Sequence, residues 1–372
     1  MEALDRATSS ERMLMMKAQQ KGVPINGSME LLPLCNLNCN MCYVRLSRTE
    51  MEAQGRMRTG AEWLALGRQM AKAGTLFLLL TGGEPLLHPD FKEIYLGLRK
   101  MGMILTINTN GTLIDEEWAD FFAKNKPRRI NITLYGADGD AYESLCHYRG
   151  GFDRVVNAVK MLRQRDVDVK FGGSITPENI KDIPQMLKIA EELDAPLRMD
   201  TYMMPAIRER NRPYDQQNRL LPELAGQARI MALRGEMGEE LFAEYRNNLL
   251  QEIDGFVPGV EQLCAPSCLA GRCSFTINWQ GQIRPCVVMT EPAVDVFETG
   301  FEAGWKQISQ TFQELRYCAK CSNCRLRPVC RTCPAAALLE SGDYMGTPEY
   351  LCRYAAECER LLRESAEETT NE

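Results

Sequence analysis

Cys35-Asn36-Leu37-Asn38-Cys39-Asn40-Met41-Cys42 is the stretch on which the reading of this 372-residue chain turns. Three cysteines, spaced three and then two residues apart, follow the apolar run Met29–Leu34. Three thiolates from one loop can hold three irons of a 4Fe–4S cube, and the fourth iron is then open to a small molecule and can pass it an electron. A zinc loop is the alternative, but structural zinc wants four ligands in paired groups, which this triplet matches poorly. The chain has 15 cysteines and only two histidines, His88 and His147, neither of them inside a cysteine group. Metal sites here are therefore nearly all thiolate, which favours iron–sulfur clusters or four-cysteine zinc.

Outward from this loop, strand and helix signals alternate. Extended runs are expected at Met29–Leu34, Leu76–Leu80, Met103–Asn108, Arg129–Leu134, Val167–Ser174 and Leu197–Met203. Helical patterns fall between them at Ala61–Lys72, Phe91–Lys100, Glu116–Lys124, Phe152–Arg165 and Ile180–Leu193. Such alternation implies an α/β fold, a parallel sheet with helical crossovers. Six units can close partly into a (β/α)6 barrel, with chemistry at the C-terminal ends of the strands. We expect an N-terminal helical extension over 1–27, the partial barrel over 28–204, a charged helical bridge over 205–262, a small cysteine-rich domain over 263–358 and a frayed acidic tail over 359–372.

The bulk numbers exclude several classes. A net charge of −6 argues against nucleic acid or an anionic membrane surface as the main partner. No run approaches the roughly 18 apolar residues that span a bilayer. The N-terminus, Met1-Glu2-Ala3-Leu4-Asp5-Arg6, lacks a secretory pattern, so a reducing cytoplasm is the expected compartment and clustered cysteines are expected to bind metal.

A C-x3-C-x2-C triplet at the end of a first strand resembles the signature of the radical SAM superfamily. The second strand strengthens the resemblance: Gly82-Gly83-Glu84-Pro85 follows it and is similar to the superfamily's GGEP motif, which binds the amino group of S-adenosylmethionine (SAM). Glycines let backbone groups come close to a ligand, and carbonyls and Glu84 can accept from an ammonium. The resemblance also implies SAM contacts for Asn108, for Thr133 near the ribose or carboxylate, and for the backbone of Met41, where the family often carries an aromatic residue.

The C-terminal cysteines resemble the SPASM extension of these enzymes. Cys268, Gly281 and Cys286 match its first segment, and Cys321, Cys324, Cys330 and Cys333 its second, with a last gap of two residues in place of three. The resemblance implies two auxiliary 4Fe–4S clusters, one on Cys268, Cys273, Cys286 and Cys333, the other on Cys321, Cys324, Cys330 and Cys352. Cys264 and Cys318 lie near enough in sequence to replace a neighbour, whereas Cys146 and Cys358 read as ordinary thiols.

With three 4Fe–4S clusters and SAM as cofactors, the implied chemistry is reductive cleavage of SAM to a deoxyadenosyl radical, which takes hydrogen from a substrate carbon. The auxiliary clusters would accept or relay electrons in a net oxidation. Relatives of this type mostly modify ribosomally made peptides or protein side chains, which implies a peptide-modifying maturase that forms a thioether or carbon–carbon crosslink. Its partners would be a precursor peptide, a reductant such as flavodoxin or ferredoxin, and a separate leader-binding protein, since about 27 residues before the first strand leave little room for a leader-binding domain. Sulfatase maturation is disfavoured by Val287, where those relatives carry aspartate. A small-molecule oxidoreductase is the nearer alternative. An electron carrier is the remote one, because it needs no SAM site. Asp200 and Tyr202, at the end of the sixth extended run, are the candidates for substrate contact.

Overall fold

The computed structural model describes residues 8–204, 218–259 and 263–370. The expected bridge residues 205–217 and 260–262, and residues 1–7 and 371–372 of the two ends, lie outside them. Six strands follow one another in parallel: β1 (Asn26–Glu30), β2 (Phe77–Thr81), β3 (Ile104–Thr109), β4 (Arg129–Thr133), β5 (Val169–Ser174) and β6 (Leu197–Asp200). Three more, β7 (Ser274–Ile277), β8 (Gln282–Arg284) and β9 (Val294–Asp295), continue the same sheet, in the order β6-β5-β4-β3-β2-β1-β7-β8-β9. β7 is parallel to β1, whereas β8 and β9 are antiparallel. The sheet is not closed. The fold is α/β, a partial barrel whose sheet is lengthened by the C-terminal third of the chain.

Local chemistry explains the crossovers. Helix Gly60–Lys72 starts at a capping box in which Thr59 and Glu62 exchange side-chain and backbone hydrogen bonds. Helix Phe91–Lys100 buries Phe91, Ile94, Tyr95 and Leu98, an i, i+3, i+4, i+7 stripe that seats it on the sheet. β4 alternates buried Ile130 and Ile132 with half-buried Arg129, Asn131 and Thr133, as a strand with two unlike faces must.

Three boundaries depart from expectation. The first strand is Asn26–Glu30, and the apolar run continues past it. Leu31 and Leu32 are fully buried beyond the strand end, because Leu31 N donates to Thr81 O (2.9 Å) while Leu32 and Leu34 offer their carbonyls to the turn after β2. Apolar content alone cannot separate a strand from a buried loop. Second, no break in the sheet marks the expected boundary at 263: Asn26, Gly27, Ser28 and Met29 of β1 pair with Ser274, Phe275, Thr276 and Ile277 of β7. Third, the tail expected to fray is part of helix Glu349–Thr370. Leu362 is fully buried, and Arg363 pairs with Asp254 (2.6 Å) and Glu359 (3.0 Å), so packing and ion pairs on one face hold the acidic end.

Candidate functional site

The C-terminal ends of β1 to β4 carry the singular residues. The cysteine loop after β1 is tied to its surroundings by backbone groups. Asn38 N donates to Cys146 O (3.0 Å) and Asn40 N to Leu145 O (3.0 Å), docking the loop on the end of helix Gly139–Cys146. His147 contacts Asn40 Oδ1 through Nε2 (2.7 Å). Within the loop, Leu37 N points at Cys35 Sγ (3.4 Å) and Arg45 N at Cys42 Sγ (3.4 Å). Met41 is half-buried against the core.

The turn after β2 closes on this loop. Gly83 N donates to Leu32 O (2.7 Å) and Glu84 N to Leu34 O (2.9 Å). A methyl at Gly82 would lie 2.5 Å from Leu32 O, and one at Gly83 would lie 2.3 Å from Leu34 O, so only glycine fits at either position. Gly82 also takes a φ of +151°. The Glu84 carboxylate is fully buried and accepts from Leu86 N (3.0 Å), Thr109 Oγ1 (2.8 and 2.9 Å) and Asn110 N (2.8 Å). Burial pushes its pKa up to about 7 against those three donors. Glu84 therefore clamps the turn to the end of β3, and Pro85 opens the short 3-10 turn behind it.

Asn108 and Asn131 face each other across β3 and β4, Asn131 Nδ2 donating to Asn108 Oδ1 (2.8 Å). Thr133 lies two residues further along the face of Asn131. Thr133 Oγ1 and Asn131 Oδ1 are buried and have no hydrogen-bond partner among the described residues. Buried polar atoms of this kind are uncommon and call for a ligand or water. Asn131 was not singled out in the sequence, although the alternation Ile130-Asn131-Ile132-Thr133 inside an apolar strand was a usable signal.

The donor set suits an iron–sulfur cluster. Burial pushes the Cys35 thiol up to about 12, with the charges of Glu84, Cys39 and Cys42 adding to it. Cys39 is raised by its hydrogen bond to Cys146 and by burial, and Cys42 by burial. Buried thiols with raised pKa values ionise when a cationic metal compensates them. Among the described residues no three such side chains converge on one point that could hold a single ion. A cubane asks for something else, each thiolate on a different iron. Cys35, Cys39 and Cys42 would hold such a cluster, and the glycine turn with Thr133 and Asn131 would face its ligand.

The C-terminal cysteines fall into two neighbourhoods. Cys268 and Cys286 lie close enough to raise Cys333, which burial already pushes up to about 12. Burial pushes Cys330 up to about 11 with Cys324 and Cys352 adding to it, Cys352 is raised by burial and by Cys324, and Cys321 is raised by burial, by a hydrogen bond with Cys318 and by Cys352 and Cys330. Cys273, two residues after the left-handed turn at Gly271 (φ +60°), has its fully buried side chain in an apolar cluster with Met15, Ala18, Ile25 and Phe77. Cys264 stands at the other side, its N–H donating to Ser322 Oγ (3.1 Å) and its carbonyl accepting from Tyr317 N (2.9 Å). Tyr317 is itself raised by burial, with Cys333, Cys268 and Cys330 adding to it, which places it near both groups.

Asp200 and Tyr202 do reach the C-terminal end of β6, but both are engaged. Asp200 Oδ1 accepts from Arg331 Nη1 (2.6 Å). Tyr202 Oη donates to Glu340 Oε1 (2.8 Å), which also accepts from Arg219 Nη2 (2.7 Å). The Arg219 and Glu340 side chains are 3% and 4% exposed. These contacts fasten the barrel to the C-terminal segment.

Residues 29–190 match the radical SAM superfamily model. This chain carries a radical SAM domain. The chain is 26% identical over 338 residues to the AdoMet-dependent heme synthase of Methanosarcina barkeri, covering 87% of this chain and 95% of that protein. It is 22% identical over 369 residues to the PqqA peptide cyclase of Bradyrhizobium diazoefficiens, covering 95% and 93%. The structure of native anSMEcpe with bound AdoMet superposes with a TM-score of 0.70 at 17% identity, over 94% of this chain and 99% of that one, a likeness of fold. A radical SAM domain implies one 4Fe–4S cluster and SAM. No helix among the described residues is long and apolar enough to cross a membrane.

Proposed function

We propose that this radical SAM enzyme is an oxidoreductase that modifies a ribosomally made peptide or protein, with two auxiliary clusters of the SPASM type in its C-terminal third. The observation that carries the reading is the closure of the glycine turn on the cysteine loop. Leu32 O and Leu34 O are held by Gly83 N and Glu84 N, which sets the backbone of Gly82 and Gly83 beside Cys35. The cluster and SAM supply a deoxyadenosyl radical that abstracts hydrogen from the substrate. Everything else is positional: the loop presents three thiols, the turn sets the backbone of Gly82 and Gly83 against that loop, and Thr133 and Asn131 offer unpaired polar atoms. Cys268, Cys286 and Cys333 would hold one auxiliary cluster with Cys264 as the fourth ligand, and Cys321, Cys324, Cys330 and Cys352 the other. An external flavodoxin or ferredoxin would supply electrons in a cytoplasmic setting, and a separate protein would present the leader peptide.

The likeness to heme synthases over 87% of the chain supports a second substrate reading, oxidation of a heme precursor. Both readings share the SAM chemistry, so one preparation tests them. Anaerobically reconstituted protein should bind about twelve irons, four for each of three cubanes. Cys35→Ala should lose about four of them together with all deoxyadenosine formation. Retained deoxyadenosine formation in that variant would overturn the SAM site. Substrate follows from mass spectrometry: loss of hydrogens from a peptide encoded beside this gene supports the first reading, and turnover of a heme precursor alone replaces it with the second.

A further inference from the structure

Asn110, the residue after β3, holds the cysteine loop through its side chain and the glycine turn through its backbone. It is 7% exposed. Its N–H donates to Glu84 Oε2 (2.8 Å). Its Oδ1 accepts from Thr112 N (2.9 Å) and Thr112 Oγ1 (2.7 Å). Because Thr112 N can only donate, the amide oxygen must lie on that side, and the NH2 group must face the loop. There Nδ2 reaches Asn36 Oδ1 (2.9 Å) and Cys35 Sγ (3.6 Å), one hydrogen for each. Asn36 closes the ring by donating from Nδ2 to Thr112 Oγ1 (2.8 Å).

We infer that Asn110 is a positioning residue that raises the reduction potential of the cluster on Cys35, Cys39 and Cys42 by donating a fixed side-chain hydrogen bond to the Cys35 sulfur. The physical reason is charge. Reduction adds an electron to a cluster already ligated by anionic thiolates, and a donor aimed at sulfur stabilises the more negative state more. Among the groups reaching these three sulfurs, the backbone N–H groups of Leu37, Val44 and Arg45 belong to the loop segment and move with it, and the Cys146 thiol meets Cys39. Asn110 comes from a different strand and is fixed by Thr112 and Glu84. The same residue, by its side-chain amide and its backbone N–H, therefore links the site that takes up the electron to the turn proposed to hold SAM. The inference rests on the cluster reading above: a wild-type protein that binds no iron at these cysteines defeats that reading, whereas a loaded but insensitive variant defeats this inference alone.

The test is an EPR-monitored redox titration of the reduced-cluster signal that changes on adding SAM, in protein whose iron content has been measured. Asn110→Ala and the isosteric Asn110→Asp both remove the donor, and both should shift the midpoint to more negative potential, Asn110→Asp further because it sets a carboxylate beside the thiolate. Thr112→Val removes hydroxyl contacts to Asn110 and Asn36 but leaves the donor to sulfur, so its midpoint should stay at the wild-type value. Unchanged midpoints in both Asn110 variants would overturn the inference. So would an equal shift in Thr112→Val, or loss of those four irons in both Asn110 variants, since Asn110 would then be building the loop and not tuning its cluster.

Discussion

Gly83→Ala tests the glycine turn most directly. The added methyl would stand 2.3 Å from Leu34 O, 2.7 Å from Leu34 C and 2.8 Å from Pro33 O, all backbone atoms of the segment leading into Cys35. Ordinary contact begins near 3.4 Å, so turn and loop must separate by about 1 Å. Overpacking of this kind costs about 1–3 kcal/mol. The bonds Gly83 N–Leu32 O and Glu84 N–Leu34 O stretch with it, at about 0.5–1.5 kcal/mol each if lost. The sum, about 2–6 kcal/mol, is comparable with only part of the roughly 5–15 kcal/mol that holds a domain together, so the variant should fold with a lowered urea midpoint. A displacement of about 1 Å at a reacting centre costs on the order of 100-fold in rate. Deoxyadenosine formation per bound N-terminal cluster should therefore fall by about two orders of magnitude. Gly139→Ala is the control: nothing lies within 4 Å of a methyl there, and rate and midpoint should match wild type. A Gly83→Ala protein with wild-type rate and wild-type urea midpoint would refute the claim that the turn positions the SAM site.

Three further outcomes follow from the contacts described. Cys264→Ala should cost the protein iron at the first auxiliary site, whereas Cys273→Ala should keep its full iron content and lose only a little stability from the cluster with Met15 and Phe77; the reverse result would restore Cys273 as the ligand. Glu84 has a folded-state pKa of about 7 against an ordinary 4.5, so the folded, SAM-free protein binds that proton more tightly than the unfolded chain. Its stabilising contribution, about 3 kcal/mol, is complete below pH 4.5 and is lost as pH rises through 7, so wild type should weaken relative to Glu84→Gln over that window in urea titrations at stepped pH. An identical pH slope in the two proteins would refute the assignment. Arg219→Ala removes one ion-pair partner of the buried Glu340 carboxylate and should destabilise by up to about 3–5 kcal/mol, read as a lower denaturation midpoint; an unchanged midpoint would overturn the claim that this pair fastens the barrel to the C-terminal segment.

The catalytic half was legible because its signals are local. Strand runs, helical patterns such as Ala61–Lys72 and a cysteine triplet after the first strand act over a few residues, and the structure forms an element at or beside each of them. What was misread depends on distance or on backbone direction. The pairing of β1 with β7 joins residues about 250 positions apart, which no periodicity reveals. Cys273 satisfies the spacing of a ligand, while its packing with Met15, Ala18, Ile25 and Phe77 joins residues too far apart in the chain for spacing to reveal. Asp200 and Tyr202 stand at a strand end as expected, but Arg331 and Glu340, far along the chain, occupy them. Asn110 went unweighed inside Asn108-Thr109-Asn110-Gly111, because an asparagine before glycine reads as a turn residue until its amide is seen against Cys35.

The pairing of β1 with β7 also sets an order of events for a newly made chain. β1 carries the cysteine loop, and its second neighbour, reinforced by the bond from Ser28 Oγ to Thr276 Oγ1 (2.9 Å), is synthesised only after some 250 further residues. Until then β1 is an open edge, able to pair with another chain, and contacts of such separation form slowly. A chain cut short before Ser274 would keep every residue of the proposed SAM site and still expose the strand that leads into it. Protection of that edge is thereby tied to completion of the last third of the protein, and truncated forms should aggregate rather than persist as small barrels.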